Sequence, residues 1–555
     1  MSKISFLALG GLNEYGNNLY ILEIDSKIFV LDSGYMIPDN QELGTKYLIP
    51  KIDYLKINKD KIKGFFISHG HVEQFGALLH FYNSEFKNIP VYASKLTGYI
   101  LEYYFDKFKI DKPKIKILNS DSKEKFGDVS VEILPLSSSI HDNFGFIFKT
   151  KEGNIIYMTD FVYDYLNDSK GMNLEKLNNL GKEKNLLVIA DSFNSLNTGL
   201  TSPNNSIKKM LNNVDWDKIK RLVVGLYNDN LNNVIEILEY AKKVKKEVYI
   251  HGQSTLSILK FLKKNKYIDR DIVYPTELND ERNSKDDSIV ILSHSIDRLF
   301  QSVDDAVTES NDSSSLRKTD LLLIPETIFS GTEKVVAKII DNITKAGIMQ
   351  YASSSERNSD IKKKLMSSPS QEDLRLYLNV LKPLNIIPVK GDYKRFLAFE
   401  KLANDNLNFK TNFNILVNGQ KTELKNEKFV KETKLIKELG MVKVSALGNN
   451  NLVGDVIIDR TKLASDGCIV FGVAYNDKTK KIVSKVDLQL RGVVYIRKSK
   501  ELIDMLMNEF IRELNSALET NTVGKFKTII AGKLIKIVKT NTKKSPIIEI
   551  NIVKV

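Results

Sequence analysis

Phe65-Phe66-Ile67-Ser68-His69-Gly70-His71-Val72-Glu73-Gln74-Phe75-Gly76 is the stretch around which the remaining 543 residues are read. An apolar, strand-like run passes through a His-Gly-His turn and enters a helix whose apolar face is Phe75, Leu78, Leu79 and Tyr82. Two of the chain's six histidines stand two residues apart at this strand end. Imidazoles at that spacing can face the same way and share one metal ion. The carboxylate Glu73 follows two residues later.

Upstream, residues 4 to 34 read as strands around a glycine-rich turn, Gly10-Gly11-Leu12-Asn13-Glu14-Tyr15-Gly16-Asn17-Asn18, where backbone passes close to a site. The run Val30-Leu31-Asp32-Ser33-Gly34 ends a buried strand on an acid. Downstream, Asn154-Ile155-Ile156-Tyr157-Met158-Thr159-Asp160 and Asn185-Leu186-Leu187-Val188-Ile189-Ala190-Asp191 do the same. Open α/β folds gather ligands at such strand ends, so Asp32 and Asp191 are read as supports for the site. Strand and helix patterns alternate to residue 200 and, with a different flavour, from 205 to 365. Ser-, Asp- and Asn-rich residues 301 to 319 read as an exposed loop. A helix at Gln371–Leu381, a charged linker and an α+β tail containing a helix over 499 to 517 complete the chain.

A chain of 555 residues exceeds one core and predicts several domains. One cysteine, Cys468, rules out an intrachain disulfide and fits a reducing compartment. Residues 1 to 10 do not form a signal peptide, and no apolar run is long enough to span a bilayer, so the expectation is a cytoplasmic protein without a membrane partner. The net charge of +13 is uneven: residues 431 to 555 hold 23 Lys and Arg against 13 Asp and Glu. Such a field favours a polyanion such as RNA, and equally describes a lysine-solvated surface.

Ser-His-Gly-His followed by an acid resembles the His-X-His-X-Asp-His motif of the metallo-β-lactamase superfamily. The chain as a whole resembles ribonuclease J. The likeness is carried by Gly10-Gly11 with Glu14 and Gly16-Asn17-Asn18, by Val30-Leu31-Asp32-Ser33-Gly34, and by Leu48-Ile49-Pro50-Lys51-Ile52-Asp53-Tyr54-Leu55. Ala190-Asp191-Ser192, Ile387-Pro388-Val389-Lys390-Gly391-Asp392-Tyr393 and Arg491-Gly492-Val493-Val494-Tyr495-Ile496-Arg497 add to it. The resemblance implies an α/β fold. A four-layer αββα metallo-β-lactamase domain (1–204 and 366–425) is interrupted by a β-CASP domain (205–365). A linker (426–445) and a small α+β C-terminal domain (446–555) follow.

It also implies two zinc ions, and here the ligand set is broken. The first ion would take His69, His71, a further histidine now Ser138, and a shared Asp160. The second would take the motif's Asp and His, now Glu73 and Gln74, with Asp160 and a histidine now Lys390. A phosphate-binding histidine is replaced by Ser368, near Ser370, and the β-CASP loop by Ser293-His294-Ser295-Ile296-Asp297-Arg298, which leaves His294 as a candidate RNA contact. Zinc wants imidazole, thiolate or carboxylate, and a protonated Lys390 repels a dication. The expectation is no two-zinc centre and either no metal or one weakly bound zinc at His69, His71 and Asp160. Without metals, Asp32, Glu73 and Asp160 would face one another uncompensated, so Lys390 is expected to enter the cavity and pair with Asp160 or Glu73. Of the other histidines, His141 follows the lost ligand by three residues, His80 reads as packing, and His251 follows a strand.

Three readings result. One is a non-catalytic or weakly active subunit of RNA processing and mRNA decay that binds RNA and an active ribonuclease J paralogue, as a hetero-oligomer or a homodimer through the C-terminal domain. Another is a working metal-dependent 5′–3′ exoribonuclease or endoribonuclease with an unorthodox site. The third is a metal-free scaffold of the degradation machinery. Glu73, Gln74, Asp160 and Lys390 are vestigial catalytic positions in the first.

Overall fold

Phe65 and Phe66 are neighbours in sequence and lie on opposite faces of one sheet, as strand geometry requires. Phe66 stacks on Tyr92 at 4.6 Å and meets Phe146 and Phe148 of a second sheet edge-on. Phe65 instead meets Phe81, Tyr82 and Phe86 on the helical side. Each such aromatic pair contributes roughly 0.5–1.5 kcal/mol beyond burial. This alternation, repeated along every strand, builds the layers of the larger unit in the computed structural model. The structure describes the chain except residues 1, 39–44, 83–84, 139, 141, 164–171, 202–206, 229, 269–273, 279–283, 296–297, 309–314, 327–332, 352–367, 406, 431–433, 437–438, 445–453, 496–498 and 521. It forms two compact units, Met1–Ile37 with Leu48–Val442, and Pro38–Tyr47 with Lys443–Val555.

In the larger unit, a nine-stranded sheet has at its centre Ile4–Gly10, Leu19–Ile24, Lys27–Leu31 and Ile62–Phe66. A seven-stranded sheet has at its centre Asn385–Val389, Asn185–Asp191, Gly153–Met158 and Asn143–Thr150. Their facing sides share one core, with Phe6, Tyr20, Phe29 and Leu31 against Phe146, Phe148, Tyr157 and Ile189. The outer side of the seven-stranded sheet is covered by the helices Leu174–Leu180, Gln371–Leu381 and Tyr393–Asp405 through Leu177, Leu378 and Phe399. Helices Leu78–Phe81 and Lys95–Lys107 cover the other sheet. The four-layer arrangement expected from the resemblance is the one observed. Strands Ile62–Phe66, Gly153–Met158, Asn185–Asp191 and Asn385–Val389 all end at the same place, and the functional side chains follow them.

Between residues 221 and 351 lies a separate six-stranded parallel sheet, ordered Thr276–Glu277, Glu247–His251, Ser288–His294, Arg221–Tyr227, Asp320–Leu323 and Met349–Tyr351. The expected loop over 301 to 319 is corrected here. Leu299–Thr308 is a helix, because Leu299, Val303 and Ala306 recur at helical spacing and are buried, while Ser302, Asp304 and Asp305 between them stay only partly buried.

In the smaller unit, the strands Lys481–Ile482, Cys468–Asn476, Asp487–Arg491 and Ile547–Lys554 form a mixed sheet. Beside the expected helix, observed as Lys500–Glu519, runs a second, Val523–Thr542, which the sequence reading missed. Its core contacts Phe526, Ile530, Leu534 and Val538 recur every four residues, but the lysines between them hide the stripe. Among the described residues no helix is long and apolar enough to cross a membrane.

Candidate functional site

Three strands that enter the site end on a residue in left-handed backbone: Asp32 at φ 55°, Asp160 at φ 49° and Lys390 at φ 57°. Aspartate tolerates that region, whereas lysine there costs about 1–2 kcal/mol. The Lys390 conformation is held by its N–H donating to the Gly11 carbonyl at 3.0 Å and by Asn13 N–H donating to the Gly391 carbonyl at 2.9 Å. The glycine turn read from the sequence is therefore the clamp on the lysine. On the opposite wall, Gly34 passes so close to Glu73 that a Cβ would fall 1.5 Å from its carbonyl oxygen, so the strand end and the Glu73 turn fit only with glycine.

Asp32 is fully buried and supports the histidine turn from behind. It accepts from Ser68 N–H at 2.8 Å, Ser68 Oγ at 2.9 Å and the Tyr157 hydroxyl at 2.5 Å. Burial pushes its carboxyl up to about 7, against the pull of those three donors. With its proton given to Asp32, Ser68 Oγ accepts from His69 Nδ1 at 3.0 Å. His69 Nε2 then presents its lone pair, and His71 Nδ1 donates to it at 3.0 Å. Burial holds His69 well below its ordinary pKa, so it is a neutral imidazole, and its 3.4 Å approach to Asp160 Oδ2 is no ion pair.

Asp160 is the hub. Its backbone is fixed by N–H donation to Asp191 Oδ2 at 3.0 Å and by Asn143 Nδ2 donating to its carbonyl at 2.6 Å. Its carboxylate accepts from Gln74 Nε2 at 3.3 Å, from Ser368 Oγ at 3.3 Å, and from the Lys390 ammonium in a close ion pair. Lys390 Nζ also lies 2.7 Å from Glu73 Oε1. The expected ion pair is thus present with both carboxylates. Burial is the largest influence on Asp160 and opposes its charge, but the Lys390 ammonium, His69 and His71 together hold the carboxylate below its usual range. Burial likewise opposes the Lys390 charge, and Asp160, Glu73 and Asp191 together hold the ammonium above its usual range. Asp191, which also accepts from Phe193 N–H at 2.7 Å, is pushed up to about 6, chiefly by burial.

The fit to the metals implied by the resemblance follows from these donors. His69, His71 and Asp160 offer three ligand atoms within 4.8 Å of one another, a cluster suited to one ion. A second ion does not fit. The positions the resemblance implies for it hold an amide, Gln74, and an ammonium, Lys390, and both are bound to the Asp160 carboxylate that would have to hold the ion. Ser138, expected at the lost first-ion position, accepts from Ile140 N–H at 3.5 Å.

Of the remaining candidates, Ser370 does not face this cluster. Its hydroxyl meets Thr201 Oγ1 at 2.8 Å and caps the helix Gln371–Leu381 with Asp373. His294 pairs with His251 in the inserted sheet, and His141 lies outside the described residues. Sequence reasoning missed Tyr157 and Asn143. A phenol in the inward row of an apolar strand was the available signal for Tyr157; Asn143, at a strand start, gave none.

Residues 48–174 match the β-lactamase superfamily domain, and residues 455–555 match the ribonuclease J C-terminal domain. Among curated proteins the chain is similar to Ribonuclease J2 of Bacillus subtilis (strain 168), 26% identical over 98% of each chain. It is also similar to Ribonuclease J 2 of Streptococcus pyogenes serotype M3, 28% identical over 99% of each, and of Staphylococcus aureus (strain NCTC 8325), 27% identical over 98% of this chain and 97% of that one. Among solved structures, a protein of unknown function from Enterococcus faecalis V583 aligns with a TM-score of 0.51 at 14% identity, covering 76% of this chain and all of that one, a likeness of fold alone.

Proposed function

Since the chain belongs to the ribonuclease J family, we propose that it is an RNA-processing protein in which an internal lysine has taken the place of the second metal ion. The observation that carries this reading is the Lys390 ammonium seated between Asp160 and Glu73. Two-metal hydrolysis needs one ion to generate hydroxide and two to clamp the phosphate. An ammonium supplies a positive charge to the cavity but ligates no water and so generates no hydroxide. Its ion pair with Asp160 also competes with any ion bound by His69 and His71. The protein then works as a weakly active or non-catalytic subunit that binds RNA and an intact member of its own family. The basic face of the helix Val523–Thr542, where Lys527, Lys536 and Lys539 are exposed, supports a polyanion partner.

A second reading has one observation in its favour, the convergence of His69, His71 and Asp160: a slow, single-metal ribonuclease. Zinc content and turnover of 5′-monophosphorylated RNA, measured on one preparation with and without an intact paralogue, separate the two. The subunit reading expects less than one zinc and activity only in the mixture. Two zinc ions with turnover by the chain alone overturn it. The companion variant, Gln74→His with Ser138→His and Lys390→His, is expected to bind two zinc ions; unchanged zinc content would show that Lys390 was not what excluded the second.

A further inference from the structure

The inserted sheet holds a second pair of imidazoles. Glu247–His251 and Ser288–His294 are neighbouring parallel strands, with His251 level with Leu292, and both end on histidine. His251 Nδ1 lies 3.1 Å from His294 Nε2, with ring centroids 5.0 Å apart and planes at 58°. The approach is built into the backbone. A Cβ on Gly252 would meet the Ser293 carbonyl at 2.4 Å, so only glycine lets the chain after His251 pass this close to the strand carrying His294. Thr255 Oγ1 and Ser293 Oγ close the same contact at 2.7 Å, and Asn228 N–H donates to the His294 carbonyl at 2.9 Å.

Zinc–imidazole bonds of about 2.0–2.1 Å place two ligand nitrogens about 2.9 Å apart at a right angle and about 3.4 Å apart at the tetrahedral angle. The two nitrogens share a hydrogen bond, and their separation already falls between these limits, so turning the rings, without movement of the strands, is what an ion would require. We propose that His251 and His294 form a site for a borderline divalent cation of the zinc or nickel class, independent of the His69 cluster, with water completing the coordination. Imidazole nitrogen suits these ions better than magnesium or calcium. Both rings are half-buried, which leaves the outer side of the pair open to solvent. Among the described residues, the side-chain charges that act on His294 are Arg298, whose side chain is exposed, and Asp305, and they oppose one another. The bound ion would tie together the carboxyl ends of two adjacent strands.

Calorimetric titration of the chelator-stripped full chain with Zn²⁺ alone tests this in the wild type, in His69→Ala/His71→Ala, in His251→Ala and in His294→Ala. One binding event is expected to survive loss of His69 and His71 and to weaken by about tenfold or more on loss of either His251 or His294. Zinc should raise the melting temperature of His69→Ala/His71→Ala and not that of His251→Ala. Binding that follows His69 and His71 instead, or a His69→Ala/His71→Ala chain that takes up no zinc, overturns the proposal.

Discussion

His69 and His71 meet at 3.0 Å, and His251 and His294 meet at 3.1 Å. Four of the chain's six histidines are thus arranged nitrogen to nitrogen, one pair in the turn after a strand of the nine-stranded sheet and the other at two strand ends of the inserted sheet. Their surroundings differ. The first pair is buried against Asp160, and Asp160 already holds the ammonium of Lys390. The second is half-buried beside an exposed Arg298 and Asp305. Donor spacing therefore does not decide what a histidine pair can hold. The charge already lodged next to it does, because a buried cation is far less screened than one facing water.

The comparison breaks most sharply at Lys390. Lys390→Met leaves Asp160 and Glu73 without their partner in a buried cavity, where removing one member of an ion pair costs about 3–5 kcal/mol. Urea denaturation should show that loss, and Lys390→Met/Asp160→Asn should recover a large part of it, since the uncompensated charge goes too. A Lys390→Met chain as stable as wild type would mean that the ammonium is not what neutralises the cavity.

Much of this cavity was legible in the sequence. The His-Gly-His turn and the strand ends at Asp32, Asp160 and Asp191 could be read from apolar runs ending on charged residues, whereas Lys390 was placed among them by the resemblance, at a position where the family has a histidine. The ion pair could be anticipated because unpartnered carboxylates demand a cation. The His251–His294 contact could not. It depends on the order of strands in a parallel sheet, and 43 residues separate the two partners. Ser370 misled for a related reason, because a helix cap and a ligand contact draw on the same residue types. The helix Leu299–Thr308 was mistaken for a loop because its polar face dominates its composition, and only burial of Leu299, Val303 and Ala306 reveals the other face.

A third imidazole, on the helix after the His-Gly-His turn, shows what burial does to titration. His80 is pushed down to about 4 by burial. Its folded pKa lies below the unfolded value of about 6.5, so its contribution to stability is complete above pH 6.5 and is lost as pH falls toward 4. Relative to His80→Gln, wild type should lose up to about 2 kcal/mol on going from pH 7.5 to pH 5. Parallel urea midpoints for the two chains would reveal no such divergence if the ring is protonated without cost in the fold.

The smallest effect is expected at His251. In the absence of metal, His251→Ala removes a half-exposed ring whose hydrogen bond with His294 can be replaced by water, so stability at pH 7.5 should change by no more than about 0.5 kcal/mol. Leu292, level with His251 in the neighbouring strand, is fully buried. The surrounding core, Tyr249, Val290 and Leu292, should therefore be undisturbed. The same truncation at His69 would take away the acceptor of His71 and the donor to Ser68, both inside the fold, and should cost several times more. If urea midpoints show His251→Ala to be as damaging as His69→Ala, the second pair is part of the packing, and the difference in charge between the two sites no longer explains which one stays free to take an ion.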